Sequence, residues 1–227
     1  MIQLGSDARV DAARISLEQR GWASFGLPMQ AEFSCDQLLS IAAQFGTPVP
    51  SRHGSALCDA LVPVQSHEAK PRSLSRANSV GAFPLHADMA HWLVPCRHVV
   101  LACVSPGSTN RPTFLLDTRR LPLDKQKTSL LHSAPFRVRN GRNSFFSTIL
   151  SKTRSFVRCD PGCMEATTPQ GEAALKIFSK CSWPGHVEAV RWLAGAVLVI
   201  DNWRVLHGRG EAAEMDADRK LLRVCVR

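Results

Sequence analysis

Three residues of this chain could share one metal ion. His86 and Asp88 stand two apart in His86-Ala87-Asp88, and His207 lies far downstream in Asp201-Asn202-Trp203-Arg204-Val205-Leu206-His207-Gly208-Arg209. In an extended strand, residues i and i+2 point to the same side, so His86 and Asp88 can reach one ion while Ala87 faces away. A third ligand from a distant strand completes a two-histidine, one-carboxylate face. That donor set suits non-haem Fe(II) and leaves the opposite coordination positions for small molecules and O2. An isolated H-x-D triplet is usually an accident of sequence, and a second constellation is needed to give it weight.

The C-terminal stretch supplies one. Asp218-Arg219-Lys220-Leu221-Leu222-Arg223-Val224-Cys225-Val226-Arg227 alternates as a strand does, and Arg219 and Arg223, four apart, fall on one face of it. A guanidinium fork is the natural partner of a carboxylate. A 2-oxo diacid needs one carboxylate held by the protein while its other end chelates the metal. Thr113, in Arg111-Pro112-Thr113-Phe114-Leu115-Leu116-Asp117, can add a hydroxyl to the same carboxylate. Taken singly, Arg219 reads as a surface ion-pair partner and Thr113 as an ordinary strand residue. The order H-x-D, Thr, His, Arg favours the joint reading.

With these residues in view, the chain resembles the taurine dioxygenase superfamily of Fe(II)/2-oxoglutarate oxygenases, and within it the clavaminate synthase and arginine β-hydroxylase branch. The resemblance rests on Phe83 through His91, the Thr113 segment, Phe156-Val157-Arg158-Cys159-Asp160 with Met164, Asp201 through Arg209, and Asp218 through Arg227. It runs from about Ser73 to the C-terminus, with Gly21-Trp22 and Phe45 through Pro48 fitting the lead-in more loosely. It implies His86, Asp88 and His207 as iron ligands, Arg219 and Thr113 as the 2-oxoglutarate clamp, and Arg223 at a substrate or cosubstrate carboxylate. Asp88 follows the superfamily, whereas the branch commonly has Glu. Because Asp88 fills the position that related halogenases leave open, the resemblance implies hydroxylation or desaturation with O2 rather than halogenation. The implied substrate is a free or modified amino acid in specialised metabolism. An aminoacyl group on an acidic carrier protein is the rival, and a catalytically inactive ligand-binding jelly roll the third reading. The short chain implies reduced lid elements.

Elements able to position these residues follow from periodicity. The expected fold is mainly β with flanking helices, a double-stranded β-helix or jelly roll, in a single domain over residues 1–227. Val10 to Gln19 reads as an amphipathic helix before a strand near Gly21 to Phe25, and Ser34 as the N-cap of a helix from Asp36 to Phe45. Residues 65 to 79 read as a loop. Strands are expected at Val99–Ser105, Phe114–Asp117, Phe136–Arg139 and Phe156–Cys159, with a helix at Gly171–Ser179. Val187–Leu193 and Ala196–Ile200 read as a hairpin delivering His207.

Composition excludes several classes. The 227 residues are 44% hydrophobic, and no apolar run approaches the roughly 20 residues that span a bilayer. The N-terminus lacks a secretion signal, so a cytoplasmic protein is expected. Eight cysteines form no C-x-x-C pair and read as reduced thiols, with no disulfide expected. The net charge of +9 is spread over scattered Lys and Arg without a nucleic-acid motif, and favours an anionic small molecule or an acidic partner instead. Among other histidines, His91 reads as a pocket-wall residue, His98 as a core histidine, and His53, His67, His132 and His186 as surface groups. Trp203 reads as a possible gate, more simply as packing.

Overall fold

A computed structural model describes residues 8–27, 33–69, 73–150, 156–179, 182–211 and 216–227. Its centre is a sandwich of two antiparallel sheets. The larger has six strands in the order β1 (Trp22–Gly26), β10 (Ala196–Asp201), β4 (His98–Ser105), β12 (Lys220–Val226) and β2 (Pro48–Val49), with β3 (Cys58–Leu61) also pairing β12. The smaller is β11 (Val205–Arg209), β5 (Thr113–Asp117) and β9 (Val187–Val190). A third sheet, β7 (Asn143–Ser147), β6 (Phe136–Asn140) and β8 (Met164–Ala166), packs outside the smaller one with α4 (Lys125–Ser133) and α5 (Pro169–Ile177). Helices α1 (Ala8–Arg20) and α2 (Cys35–Ala42) cover the outer face of the larger sheet.

The period of two sorts these layers. In β4, Val99, Leu101 and Cys103 enter the core between the sheets, while Val100 and Ala102 join Leu17, Leu38 and Ala42 beneath the helices. β10 divides likewise, Leu198 and Ile200 inward and Val197 and Val199 outward. In β12, Leu221 and Cys225 face the inter-sheet core, so Arg223 between them faces it too. In the smaller sheet Leu115 and Val205 face inward while Leu116 and Leu206 face the third sheet. Thr113 and His207 therefore share the inward face. Buried apolar strands of this kind contribute roughly 25 cal/mol per Å² of apolar surface removed from water.

Several expected elements are present: α1, β1, β4, β5, β6, α5, and α2 with a capping box in which Ser34 Oγ accepts from Gln37 N and Gln37 Oε1 accepts from Ser34 N. Others are corrected. Residues 187–200 form no hairpin, because β9 pairs β5 while β10 pairs β1 and β4 in the other sheet. The link crosses between layers, and Trp192 is buried in the crossing. The segment 65–79 contains a short helix, α3 (Leu74–Asn78), capped by Ser73, although Pro71 lies outside the described residues. Residues 156–159 make only an isolated bridge, Val157 to Leu150, and the strand of that region is β8.

The cysteine expectation is overturned at one pair. Cys35 and Cys58 form a disulfide, with Cα atoms 5.9 Å apart. Their proximity comes from β3 pairing on β12 beneath the start of α2, which no local spacing reveals. A disulfide persists where thiols are not kept reduced, so cysteine usage gives no support to a cytoplasmic location. Cys96, Cys103, Cys159, Cys163 and Cys225 are free thiols, and Cys181 lies outside the described residues. No helix among the described residues is long and apolar enough to cross a membrane.

Candidate metal and cosubstrate site

The segment before Asp88 runs alongside β11 as a fragment of strand. His86 N donates to His207 O and His207 N to His86 O, both at 2.9 Å, and Phe83 N donates to Arg209 O at 3.0 Å. This reciprocal bridge brings the two imidazoles to 4.5 Å between centroids. Asp88 reaches them differently from the sequence expectation: the backbone turns at Asp88, and Met89 takes φ 56°. A non-glycine residue in the left-handed region needs support, and it has it. The buried Asn202 side chain accepts from Asp88 N at 2.8 Å and donates to Asp88 O at 3.0 Å and to Cys96 O at 2.9 Å. From the other side the buried Arg158 donates to the carbonyls of Ala90, Trp92 and Leu93.

His86, Asp88 and His207 are buried, and one ligand atom from each lies within 4.8 Å of the others. Asp88 Oδ2 is 3.7 Å from His207 Nε2, and Asp88 Oδ1 is 4.0 Å from His86 Nε2. His86 Nδ1 sits 2.9 Å from the Pro84 carbonyl, which can only accept, so in the neutral ring Nε2 carries the lone pair. Burial and the neighbouring His207 push the His86 pKa down, which favours that neutral form. Burial would raise the Asp88 carboxyl, but the Arg223 charge and the adjacent His207 and His86 imidazoles hold it well below the usual carboxylate range. Asp88 Oδ2 is buried without a hydrogen-bond partner. An orphaned carboxylate oxygen facing the His207 imidazole, with His86 beside the other oxygen of the same carboxylate, is the arrangement a divalent cation would satisfy.

Gly208 makes this approach possible. A Cβ there would lie 2.7 Å from the Phe83 carbonyl oxygen and 3.1 Å from that of Pro84, both rigid backbone. We predict that Gly208→Ala pushes the His86 segment off β11, lowers metal affinity and destabilises the fold by about 1–3 kcal/mol, the usual cost of overpacking. Thermal melting and metal titration of that variant check it, and wild-type values in both would contradict the close approach.

A cavity of about 720 Å³ opens over the triad and is also lined by Thr113, Arg219 and Arg223. Thr113 stands opposite Arg209 in the β5–β11 register. Its Oγ1 accepts from the buried Trp192 Nε1 at 3.0 Å, which leaves the hydroxyl proton to be donated into the cavity. Arg219 precedes β12, beyond a bulge between Lys220 and Leu221, so its place beside Arg223 is not set by strict alternation. Arg219 is buried, and desolvation together with the Arg111 charge lowers its pKa. Burial, Arg111 and Arg219 push Arg209 down to about 9. Three neighbouring guanidiniums, relieved in part by Asp216, make this end of the cavity a recess that an anion would stabilise.

All six residues singled out in the sequence thus line one cavity. Arg223, however, is already engaged: Nη1 donates to Asp88 Oδ1 at 2.9 Å and Nη2 to Asp59 Oδ2 at 2.8 Å. His91 lines the cavity as expected, and His53, expected at the surface, lines it too and stacks on Trp92 at 5.5 Å. Trp203 packs against Phe156 and donates to the Pro95 carbonyl. Asn202, Arg158, Trp192 and Arg209 were not singled out. Asn202 and Arg209 flank His207 in its own motif and Arg158 lies in a quoted one, a signal that could have found them.

No curated protein matches the sequence. Among solved structures the fold is similar to asparagine oxygenase in complex with Fe(II), 2S,3S-3-hydroxyasparagine and succinate, with TM-score 0.75 and 19% identity over 96% of this chain and 77% of that one. It is also similar to the non-heme iron oxygenase OrfP in complex with Fe and alpha-ketoglutaric acid, with TM-score 0.72 and 18% identity over 98% and 80%. A third is PvcB, an Fe, alpha-ketoglutarate dependent oxygenase from an isonitrile synthetic pathway, with TM-score 0.69 and 21% identity over 96% and 80%. These likenesses establish the jelly-roll fold. The sequence profile of the taurine catabolism dioxygenase TauD, TfdA family matches residues 111–225, just over half of the chain, taking in Thr113, His207, Arg219 and Arg223 but not His86 or Asp88. The chain belongs to the TauD/TfdA dioxygenase family.

Proposed function

We propose that this chain is an Fe(II)- and 2-oxoglutarate-dependent oxygenase that hydroxylates or desaturates an unactivated C–H bond of a free or modified amino acid. The observation that carries this reading is the sharing of one cavity by two unlike recesses: two imidazoles and an orphaned carboxylate oxygen at one end, Arg219 and the Thr113 hydroxyl at the other. His86, Asp88 and His207 would hold the iron, a nitrogen and oxygen donor set that fits it. Bound iron would supply the binding of a 2-oxo acid and of O2 and the oxidising power for C–H cleavage. Arg219 would take the far carboxylate of 2-oxoglutarate as a charge-assisted pair, and Thr113, fixed as a donor by Trp192, would add a second hydrogen bond. Burial of both excludes water from that contact and strengthens it.

An amino-acid substrate is supported by the solved neighbours, whose complexes contain 3-hydroxyasparagine and hydroxylated arginine. Arg52, exposed on the cavity wall, is suited to an acidic carrier protein, which makes an aminoacyl-carrier substrate the second reading. Incubation with Fe(II), 2-oxoglutarate and a panel of free and carrier-loaded amino acids, read by mass spectrometry, tests both. We expect gain of one oxygen, or loss of two hydrogens, with matching succinate. Because Asp88 fills a ligand position, no chlorinated product is expected even in high chloride. A panel with no product and no succinate would favour a ligand-binding jelly roll without turnover.

A further inference from the structure

The guanidinium of Arg223 touches the candidate metal carboxylate itself. Register fixes this contact, because Arg223 stands directly across from Asp59 in the β12–β3 ladder, and its inward direction points it at Asp88. Of the two Asp88 oxygens, Oδ1 accepts from Arg223 at 2.9 Å and lies 4.0 Å from His86 Nε2, whereas the buried Oδ2 has no partner and lies 3.7 Å from His207 Nε2. Asp59 Oδ2 in turn holds Arg223 Nη2 at 2.8 Å, at the more exposed end of the row.

Resting on the proposed metal centre, we infer that Asp59 and Arg223 are a positioning pair for Asp88. Asp59 anchors Arg223, and Arg223 occupies Oδ1, so that Oδ2 alone is presented to the metal. Two consequences follow. The carboxylate is held in one rotamer and presented as a single-oxygen ligand, which keeps a coordination position from being taken by chelation. The Arg223 charge is also matched by two protein carboxylates before any substrate arrives. Arg223 therefore acts on the metal through Asp88, while its Nε remains without a protein partner.

Partners that orient a metal ligand typically cost ten- to a hundredfold in metal affinity when removed. The test is Mn(II) titration of the full chain, followed by the electron paramagnetic resonance signal of the free ion, for wild type, Asp59→Asn, Arg223→Gln and Arg223→Lys. We expect Asp59→Asn and Arg223→Gln to weaken Mn(II) by about ten- to a hundredfold and Arg223→Lys to recover part of the loss. The melting temperature of metal-free Asp59→Asn should stay near wild type. Should Arg223→Gln fail to fold, Asp59→Asn decides alone, since its side chain is partly exposed and the amide is isosteric. Unchanged Mn(II) affinity in Asp59→Asn would overturn the pairing and leave a plain cross-strand ion pair. Unchanged Mn(II) affinity in Arg223→Gln, with a raised KM only for substrates bearing a carboxylate, would assign Arg223 to substrate. Failure of the wild type to bind Mn(II) would instead overturn the metal centre on which the inference stands.

Discussion

His207→Ala is expected to abolish stoichiometric Fe(II) binding and with it all oxygenation. Each candidate ligand would provide one of only three protein bonds, and His207 also carries the reciprocal backbone bridge to His86. The backbone bridge survives the substitution, so the loss falls on the metal rather than on the fold. Its effect should exceed the ten- to hundredfold cost of deleting a partner that merely orients a ligand. His86→Ala should behave alike. The measurement is metal content and calorimetric Fe(II) titration under nitrogen, with circular dichroism as the folding control. Zinc in the purified protein would not disturb this reading, since zinc outcompetes ferrous iron at nitrogen and oxygen donors. Wild-type iron affinity in both variants would remove the triad from the account.

Arg219→Ala should raise the 2-oxoglutarate requirement by about ten- to a hundredfold, the equivalent of a charge-assisted hydrogen bond worth roughly 1.5–3 kcal/mol. The recess explains why the loss is not larger: Arg209 lies close enough to Arg219 for the Arg219 charge to lower its pKa, and it preserves part of the positive potential. Thr113→Val should cost less, because it removes one neutral donor. Steady-state KM for 2-oxoglutarate at saturating iron reads both. A strong effect of Arg223→Ala on 2-oxoglutarate with none from Arg219→Ala would show that the register at the start of β12 was misassigned.

Continuous apolar runs such as β4 and β10, buried on both sides, do not show in the sequence which face is inward. Alternation along the C-terminal stretch nevertheless put Arg219 and Arg223 on one face. The capping box at Ser34 was likewise local chemistry. What the sequence concealed was set by pairing between distant strands. The hairpin expected at 187–200 failed because two consecutive apolar runs look the same whether they pair with each other or with separate sheets. Asp59 is an unremarked acid in a four-residue strand until β3 is laid against β12. The Cys35–Cys58 disulfide arises from that same pairing. The expected strand geometry at Asp88 was replaced by a turn, which Asn202 can stabilise only because β10 ends beside it.

The central claim is that the triad and the arginine recess form one site for a metal-chelating 2-oxo diacid. Calorimetric titration of 2-oxoglutarate into the chain under nitrogen, with and without Fe(II), tests it most directly. We predict one 2-oxoglutarate per chain, bound at least about tenfold more tightly when iron is present, because chelation then adds to the Arg219 and Thr113 contacts already available. Equal affinity with and without iron, or no binding in either state, would contradict it.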